Sequence, residues 1–187
     1  VVRMDEAQAR AVSALPSVRY VEQDVIMHAN PTQASPPWGL DRIDQPALPL
    51  GNAYTYGRQG AGVNAYVIDT GIRVSHQAFG GRASNARNSV NDGNGFDDCN
   101  GHGTHVAGTI GGNTFGVAKQ VRLFAVRVLD CEGNGSGAGI GDGINWVINN
   151  AQRPAVVNLS LGGQYSQWWV ETVDRAVAAG LVLVVAA

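Results

Sequence analysis

Val63-Asn64-Ala65-Tyr66-Val67-Ile68-Asp69-Thr70-Gly71 is an apolar run that stops at an acid and a glycine. Three further apolar runs follow it, Val121 to Leu129, Ala155 to Leu161 and Leu181 to Ala187. Continuous runs of this kind, rather than alternating ones, predict strands covered on both sheet faces. Helical patterns lie between them: one starts over Thr104 to Ile110, one covers Ile140 to Gln152, and one covers Trp168 to Ala179. Gly180 closes the last of these at the C′ position. Strand and helix alternate, so the chain from about residue 60 reads as α/β, a parallel sheet flanked by helices.

Sheets of this class bind ligands at the carboxyl ends of their strands. Asp69 lies there, directly after a buried strand, where an acid is costly without a partner. Asp-Thr-Gly is also sound turn chemistry, so a simple turn cap stands beside the functional reading. Asn100-Gly101-His102-Gly103-Thr104-His105-Val106-Ala107-Gly108 is more specific. Its glycines let backbone crowd a substrate, and His102 sits at a loop-to-helix junction. His105 comes one turn later. Two histidines at i, i+3 also suit a metal, although the glutamate of a His-Glu-x-x-His motif is absent.

Upstream, the organisation changes. Val1 to Met4 reads as a strand stub, and Asp5 caps a helix from Glu6 to about Leu15, ended by Pro16. Val18, Tyr20, Val25 and Ile26 suggest a second strand, so residues 1–30 read as half of a small α+β unit. The stretch His28 to Pro37 carries three prolines and small polar residues, and residues 31–37 read as an extended linker with a processing site. Residues 38–187 carry the α/β part. Both ends read as cut, on Val1-Val2 and on Leu181 to Ala187.

The composition narrows the function. The chain has 187 residues, 44% of them apolar, which suffices for one sizeable core. A net charge of −2 with acids and bases interspersed argues against nucleic acid as a partner. No apolar run approaches the ~20 residues that span a bilayer, which argues against a membrane protein. Cys99 and Cys131 are either one disulfide or two buried thiols.

Val-Ile-Asp-Thr-Gly followed by Gly-His-Gly-Thr-His-Val-Ala-Gly resembles the aspartate and histidine motifs of the subtilisin family, and Asn158-Leu159-Ser160-Leu161-Gly162-Gly163 is similar to its substrate-binding strand. Trp38-Gly39-Leu40-Asp41-Arg42-Ile43-Asp44-Gln45 and Asp98-Cys99-Asn100-Gly101-His102 look like the proteinase K and aqualysin branch. Residues 1–30 look like part of the inhibitory prosegment, through Ala9-Arg10-Ala11 and Tyr20-Val21-Glu22-Gln23-Asp24.

The resemblance implies a serine endopeptidase, secreted, acting on proteins or peptides, inhibited by its own prosegment and monomeric when complete. Asp69 then orients the imidazole, and His102 is general base and then general acid. The nucleophile belongs in a Gly-Thr-Ser-Met-Ala segment that these residues lack, and the oxyanion-hole asparagine is missing too. The 187 residues alone are therefore expected to be an inactive fragment. Gly135-Ser136-Gly137 resembles the cleft edge that pairs with substrate backbone. Ser160, Leu161 and Gly162 line the opposite side, and His105 is structural. The branch implies a Cys99–Cys131 disulfide and self-cleavage between about Ala29 and Ser35.

No cofactor is implied for catalysis. Asp41, Asp44 and Gln45 match the start of a structural calcium site, but Gly51 and Ala53 occupy its later positions and offer no side-chain oxygen. Asp92, Asp97 and Asp98 form an acidic loop, read as solvated. Ser160 is rejected as nucleophile, because an α/β-hydrolase order needs a histidine after it and all four histidines precede it. Two rival readings remain: a non-catalytic protease-like binding module, and a metal hydrolase using Asp69, His102 and His105.

Overall fold

The structure, a computed structural model, describes residues 1–26 and 29–186 and divides into two compact units, residues 1–30 and 31–187. His28, the expected start of the linker, and Ala187, the expected end of the last strand, lie outside the described residues.

The first unit holds one helix, α1 (Glu6–Ser13). Asp5 accepts from the Gln8 N–H at 2.8 Å, and the Gln8 side chain accepts from the Asp5 N–H at 3.0 Å, a reciprocal capping box. The strands expected at residues 1–4 and 18–26 are not formed. A strand needs a neighbour to take its backbone groups, and none pairs with either segment among the described residues. Val2, Tyr20, Val25 and Ile26 are accordingly exposed.

The second unit opens with a two-stranded antiparallel ribbon, β1 (Thr32–Ala34) against β2 (Ala53–Thr55), with α2 (Trp38–Ile43) between them. Part of the expected linker is thus a strand. Pro31, Pro36 and Pro37 flank β1 rather than interrupt it, so its own N–H groups remain free to pair.

The main sheet comprises β3 (Asn64–Asp69), β4 (Ala83–Asn88), β5 (Arg122–Arg127), β6 (Ala155–Leu159) and β7 (Val182–Val185). Its order is β4-β5-β3-β6-β7, and all neighbours are parallel. The intervening helices are α3 (His102–Gly111), α4 (Gly137–Asn150) and α5 (Gln167–Ala178). Every residue of β3 is buried. Alternate side chains serve opposite faces. Tyr66 and Ile68 pack with Ile140, Ile144 and Val147 of α4 and Ala176 of α5, whereas Ala65 and Val67 pack with Ala107 of α3, Leu123 and Ala125. Each fully buried aliphatic side chain contributes ~1.5–3 kcal/mol.

The edges depart from the sequence expectation. Residues 83–88, Ala-Ser-Asn-Ala-Arg-Asn, carry no apolar run, because an edge strand faces solvent. At the other edge Val182, Val184 and Val185 stay 51–59% exposed, so the continuous run of β7 is not covered on both faces. Gly180 takes φ +76° after α5 and donates to the Val177 carbonyl at 2.8 Å, the left-handed C′ geometry expected of it.

Chain order reverses at β3: β4 and β5 lie to one side, β6 and β7 to the other. Such a switch point opens a crevice at the strand's carboxyl end. Asp69 is the last residue of β3.

Candidate active site

Asp69 is fully buried, and its carboxylate has definite partners. Oδ1 accepts from the Thr70 N–H at 2.7 Å. His102 Nδ1 lies 2.8 Å from Oδ1 and 3.0 Å from Oδ2. A carboxylate accepts, so the network assigns the proton to Nδ1 and leaves the Nε2 lone pair available. The His102 side chain is 46% exposed, so its ring bridges a buried anion and open space. His102 opens α3, and Gly103 allows the close approach. A Cβ on Gly103 would fall 2.1 Å from the Gly71 carbonyl oxygen and 3.2 Å from Asp69.

Asp98 holds the start of this helix. Its Oδ1 accepts from Thr70 Oγ1 at 2.7 Å and from the Gly101 N–H at 2.8 Å. Its Oδ2 accepts from the Thr104 N–H at 2.9 Å and from the Thr104 hydroxyl. Thr70 Oγ1 in turn accepts from the Gly103 N–H at 2.9 Å, so one carboxylate and one hydroxyl join the end of β3 to α3. Burial pushes the Asp98 pKa up, but the hydrogen bonds from Thr104, Gly101 and Thr70 outweigh it, and the net direction is down. A depressed folded pKa gives stability that is present above the unfolded value and is lost as pH falls through the folded one. Asp98→Asn should therefore destabilise the chain by about 1–2 kcal/mol at pH 7, with the difference shrinking below about pH 4. Urea unfolding at pH 7 and pH 3 checks this. An equal loss at both would remove the carboxylate's charge from the account.

Two further ties hold the 92–102 loop. Arg127, fully buried and in register with Asp69, donates through Nη1 and Nη2 to the two Asp92 oxygens at 2.8 and 2.5 Å. Its Nε donates to the Thr70 carbonyl and its Nη1 to the Gly95 carbonyl, both at 3.2 Å. The hydrogen bond to Arg127 holds the Asp92 carboxyl far below the usual carboxylate range. The loop expected to be solvated is thus largely committed: Asp92, though exposed, to a guanidinium and Asp98 to four donors, while Asp97 is exposed with no side-chain hydrogen bond among the described residues. Cys99 and Cys131 are joined, with S–S 2.00 Å and Cα atoms 5.0 Å apart. Asn100 Nδ2 donates to the Cys131 carbonyl at 2.8 Å, so the disulfide and this bond tie the His102 loop to the loop around residue 132.

A cavity of about 500 Å³ opens beside His102. Thr70, Asn100, Gly133, Asn134 and Gly135 line it, with Ser160, Leu161 and Gly162. The strand-end residues thus meet His102 as expected. Of the expected facing edge, Gly135 lines this cavity and Gly137 lines the adjoining one. Ser136 is the N-cap of α4, its Oγ accepting from the Gly139 N–H at 3.0 Å, and Gly137 is the first helical residue. Neither lines the His102 cavity, whereas Gly133-Asn134-Gly135 does. An adjoining apolar cavity of about 490 Å³ shares Gly135, Ile140, Leu161 and Gly162 with the first and adds Tyr165 and Trp169.

His105, expected to be structural, is exposed on α3, and its ring has no hydrogen bond among the described residues. Helical geometry places it one turn after His102 and about 60° round the axis. It does not join Asp69 and His102 in a metal-ligand cluster.

The calcium donors are already engaged. Asp41 is buried, and its Oδ1 and Oδ2 accept from the Gly51 and Asn52 N–H groups at 3.1 and 2.8 Å. Gln45 Oε1 accepts from the Gly51 N–H at 2.8 Å, and Asp44 Oδ2 from the Thr55 N–H at 2.7 Å. Gln45 Nε2 donates to the Ala47 and Pro49 carbonyls at 2.5 and 2.8 Å. Positive N–H ends thus occupy the oxygens a cation would need, and these residues do not fit a calcium ion. They close the 41–55 loop directly.

Residues 60–187 match the model of the subtilase family. The chain is 53% identical over 172 residues to the extracellular serine proteinase of Thermus sp. (strain Rt41A), covering 92% of this chain and 42% of that one. It is 47% identical over 174 residues to proteinase T of Parengyodontium album, covering 90% and 59%. Among solved structures it is similar to a cold adapted subtilisin-like serine proteinase, with TM-score 0.78, 47% identity, and coverage of 81% of this chain and 56% of that one. These two curated relatives are thus about twice as long as the span they share with it.

Proposed function

The chain belongs to the subtilase family, and from that membership we propose that the whole protein is a serine endopeptidase that hydrolyses proteins or peptides. One observation carries the reading: His102 Nδ1 is held by both oxygens of the buried Asp69, while the ring opens onto a cleft. Held this way, Nε2 takes the proton of a serine hydroxyl as the oxygen attacks the scissile carbonyl, and gives it to the departing amine. Asp69 stabilises the imidazolium formed between these steps. The serine lies in a Gly-Thr-Ser-Met-Ala segment not found among these 187 residues, so they alone are inactive. Subtilases need no cofactor for catalysis.

In this reading the peptide lies extended between Gly135-Ser136-Gly137 and Ser160-Leu161-Gly162, adding a strand to the first. Residues 1–30 act as an inhibitory prosegment. The cut between Ala29 and Ser35 falls before Thr32, because β1 is paired from there on. The protein is secreted and, when complete, monomeric. Relatives named as extracellular support secretion, and among the described residues no helix is long and apolar enough to cross a membrane.

The longer chain carrying the nucleophile should be labelled at one serine by a fluorophosphonate and lose peptidase activity as it is labelled. A chelator should leave the rate of the folded enzyme unchanged. An unlabelled, inactive protein that still binds peptide would instead support a binding module. Activity abolished by the chelator in a protein still folded would support the metal hydrolase.

A further inference from the structure

Apart from His102, Glu132 is the one charged residue lining the cleft. It is exposed, and among the described residues its carboxylate has neither an ion pair nor a hydrogen bond. Its backbone is well held. The Glu132 and Asn134 N–H groups donate to Asp130 Oδ1 at 3.1 and 2.8 Å, the Gly133 N–H to the Asp130 carbonyl at 3.1 Å, and the Asp130 N–H to the Asn134 carbonyl at 2.8 Å. The preceding residue, Cys131, is bonded to Cys99, three positions before His102. A free carboxylate is thus mounted on a rigid loop whose place relative to His102 is set covalently.

No basic residue lining the cleft balances it. The nearby Arg127 is buried and committed to Asp92. A cationic side chain entering there meets uncompensated charge, while an acidic one is repelled.

We propose that Glu132 forms an anionic subsite that selects a lysine or arginine side chain of the bound peptide. This rests on the reading of the cleft as peptide-binding. Since the carboxylate is exposed, the preference is modest, roughly three- to fivefold, and falls as salt rises and the screening length shortens to ~10 Å at 0.1 M.

The test uses the longer, nucleophile-bearing chain and fluorogenic peptides in which one lysine is walked through the positions flanking the cleaved bond. Norleucine at the same position is the comparator. At low salt one position should favour lysine by about three- to fivefold in kcat/KM. The ratio should fall towards one in Glu132→Gln and below one in Glu132→Lys. A lysine preference retained in Glu132→Gln, or none at any position in the unaltered protein, overturns the proposal. A second arm needs no turnover: ¹⁵N amide shifts of Gly133, Asn134 and Gly135 in the 187-residue chain, titrated with the same peptides. Tighter binding of the lysine peptide, lost in Glu132→Gln, supports the subsite even if the protein proves not to be a peptidase. Equal binding of both peptides overturns it.

Discussion

His102→Ala in the longer, nucleophile-bearing chain is expected to lower kcat by about 10⁶-fold, and Asp69→Ala by about 10⁴-fold. The magnitudes are those of subtilisin itself, where loss of the histidine costs as much as loss of the whole triad and loss of the aspartate costs less. The geometry here accounts for the order. Among the described residues His102 supplies the only imidazole aligned by a buried carboxylate, so its removal takes away the proton acceptor for the nucleophile. Without Asp69 the base remains, but nothing holds the proton on Nδ1, so the ring is free to turn or to present the wrong tautomer. His105→Ala should change kcat by less than twofold, because that ring is exposed and makes no hydrogen bond among the described residues. Steady-state kinetics on folded variants, checked by circular dichroism, decide the matter. If His105→Ala were as damaging as His102→Ala, the base would be misassigned.

Arg127→Met should cost about 1–3 kcal/mol of stability, a substantial part of what a domain of this size possesses. The guanidinium is fully buried and meets Asp92, the Thr70 carbonyl and the Gly95 carbonyl at once. Methionine fills much of the volume but leaves a carboxylate and two carbonyls without their donor. The contrasting variant is Arg87→Met. Arg87 also pairs with an aspartate, Asp142, at 2.9 Å, but the two side chains are 41% and 45% exposed. That pair is expected to contribute only ~0–1 kcal/mol. Urea unfolding of both variants gives the comparison. Similar losses would mean that burial is not what makes the Arg127 tie strong.

Apolar patterning located β3, β5, β6 and the three helices of the α/β unit, because strands covered on both faces leave continuous runs. The same criterion passed over β4, whose polar residues 83–88 form an edge strand. It also passed over β1, because proline-rich flanks signal a break and do not show that three residues between them find a partner. In the first unit it over-read: Val18 to Ile26 has the composition of a strand, but backbone pairing requires a second segment that composition does not supply.

The chemistry divides along the same line. Side-chain type and local spacing, information carried within a few residues, made Asp69 and His102 candidates at a strand end and a helix start, and the resemblance to the subtilisin family supplied their expected roles. Everything depending on which distant atoms meet had to wait for the fold. That Asp98 accepts four hydrogen bonds instead of facing water follows from Thr70, 28 residues away, reaching it across the end of the sheet. That Asp92 belongs to Arg127 follows from a 35-residue separation closed by β5. The donors resembling a calcium site turn back on their own loop, and the Ser136 hydroxyl caps a helix. A carboxylate or a hydroxyl bonds whichever donor the packed backbone presents, and that partner is set by tertiary geometry rather than by neighbours in the chain.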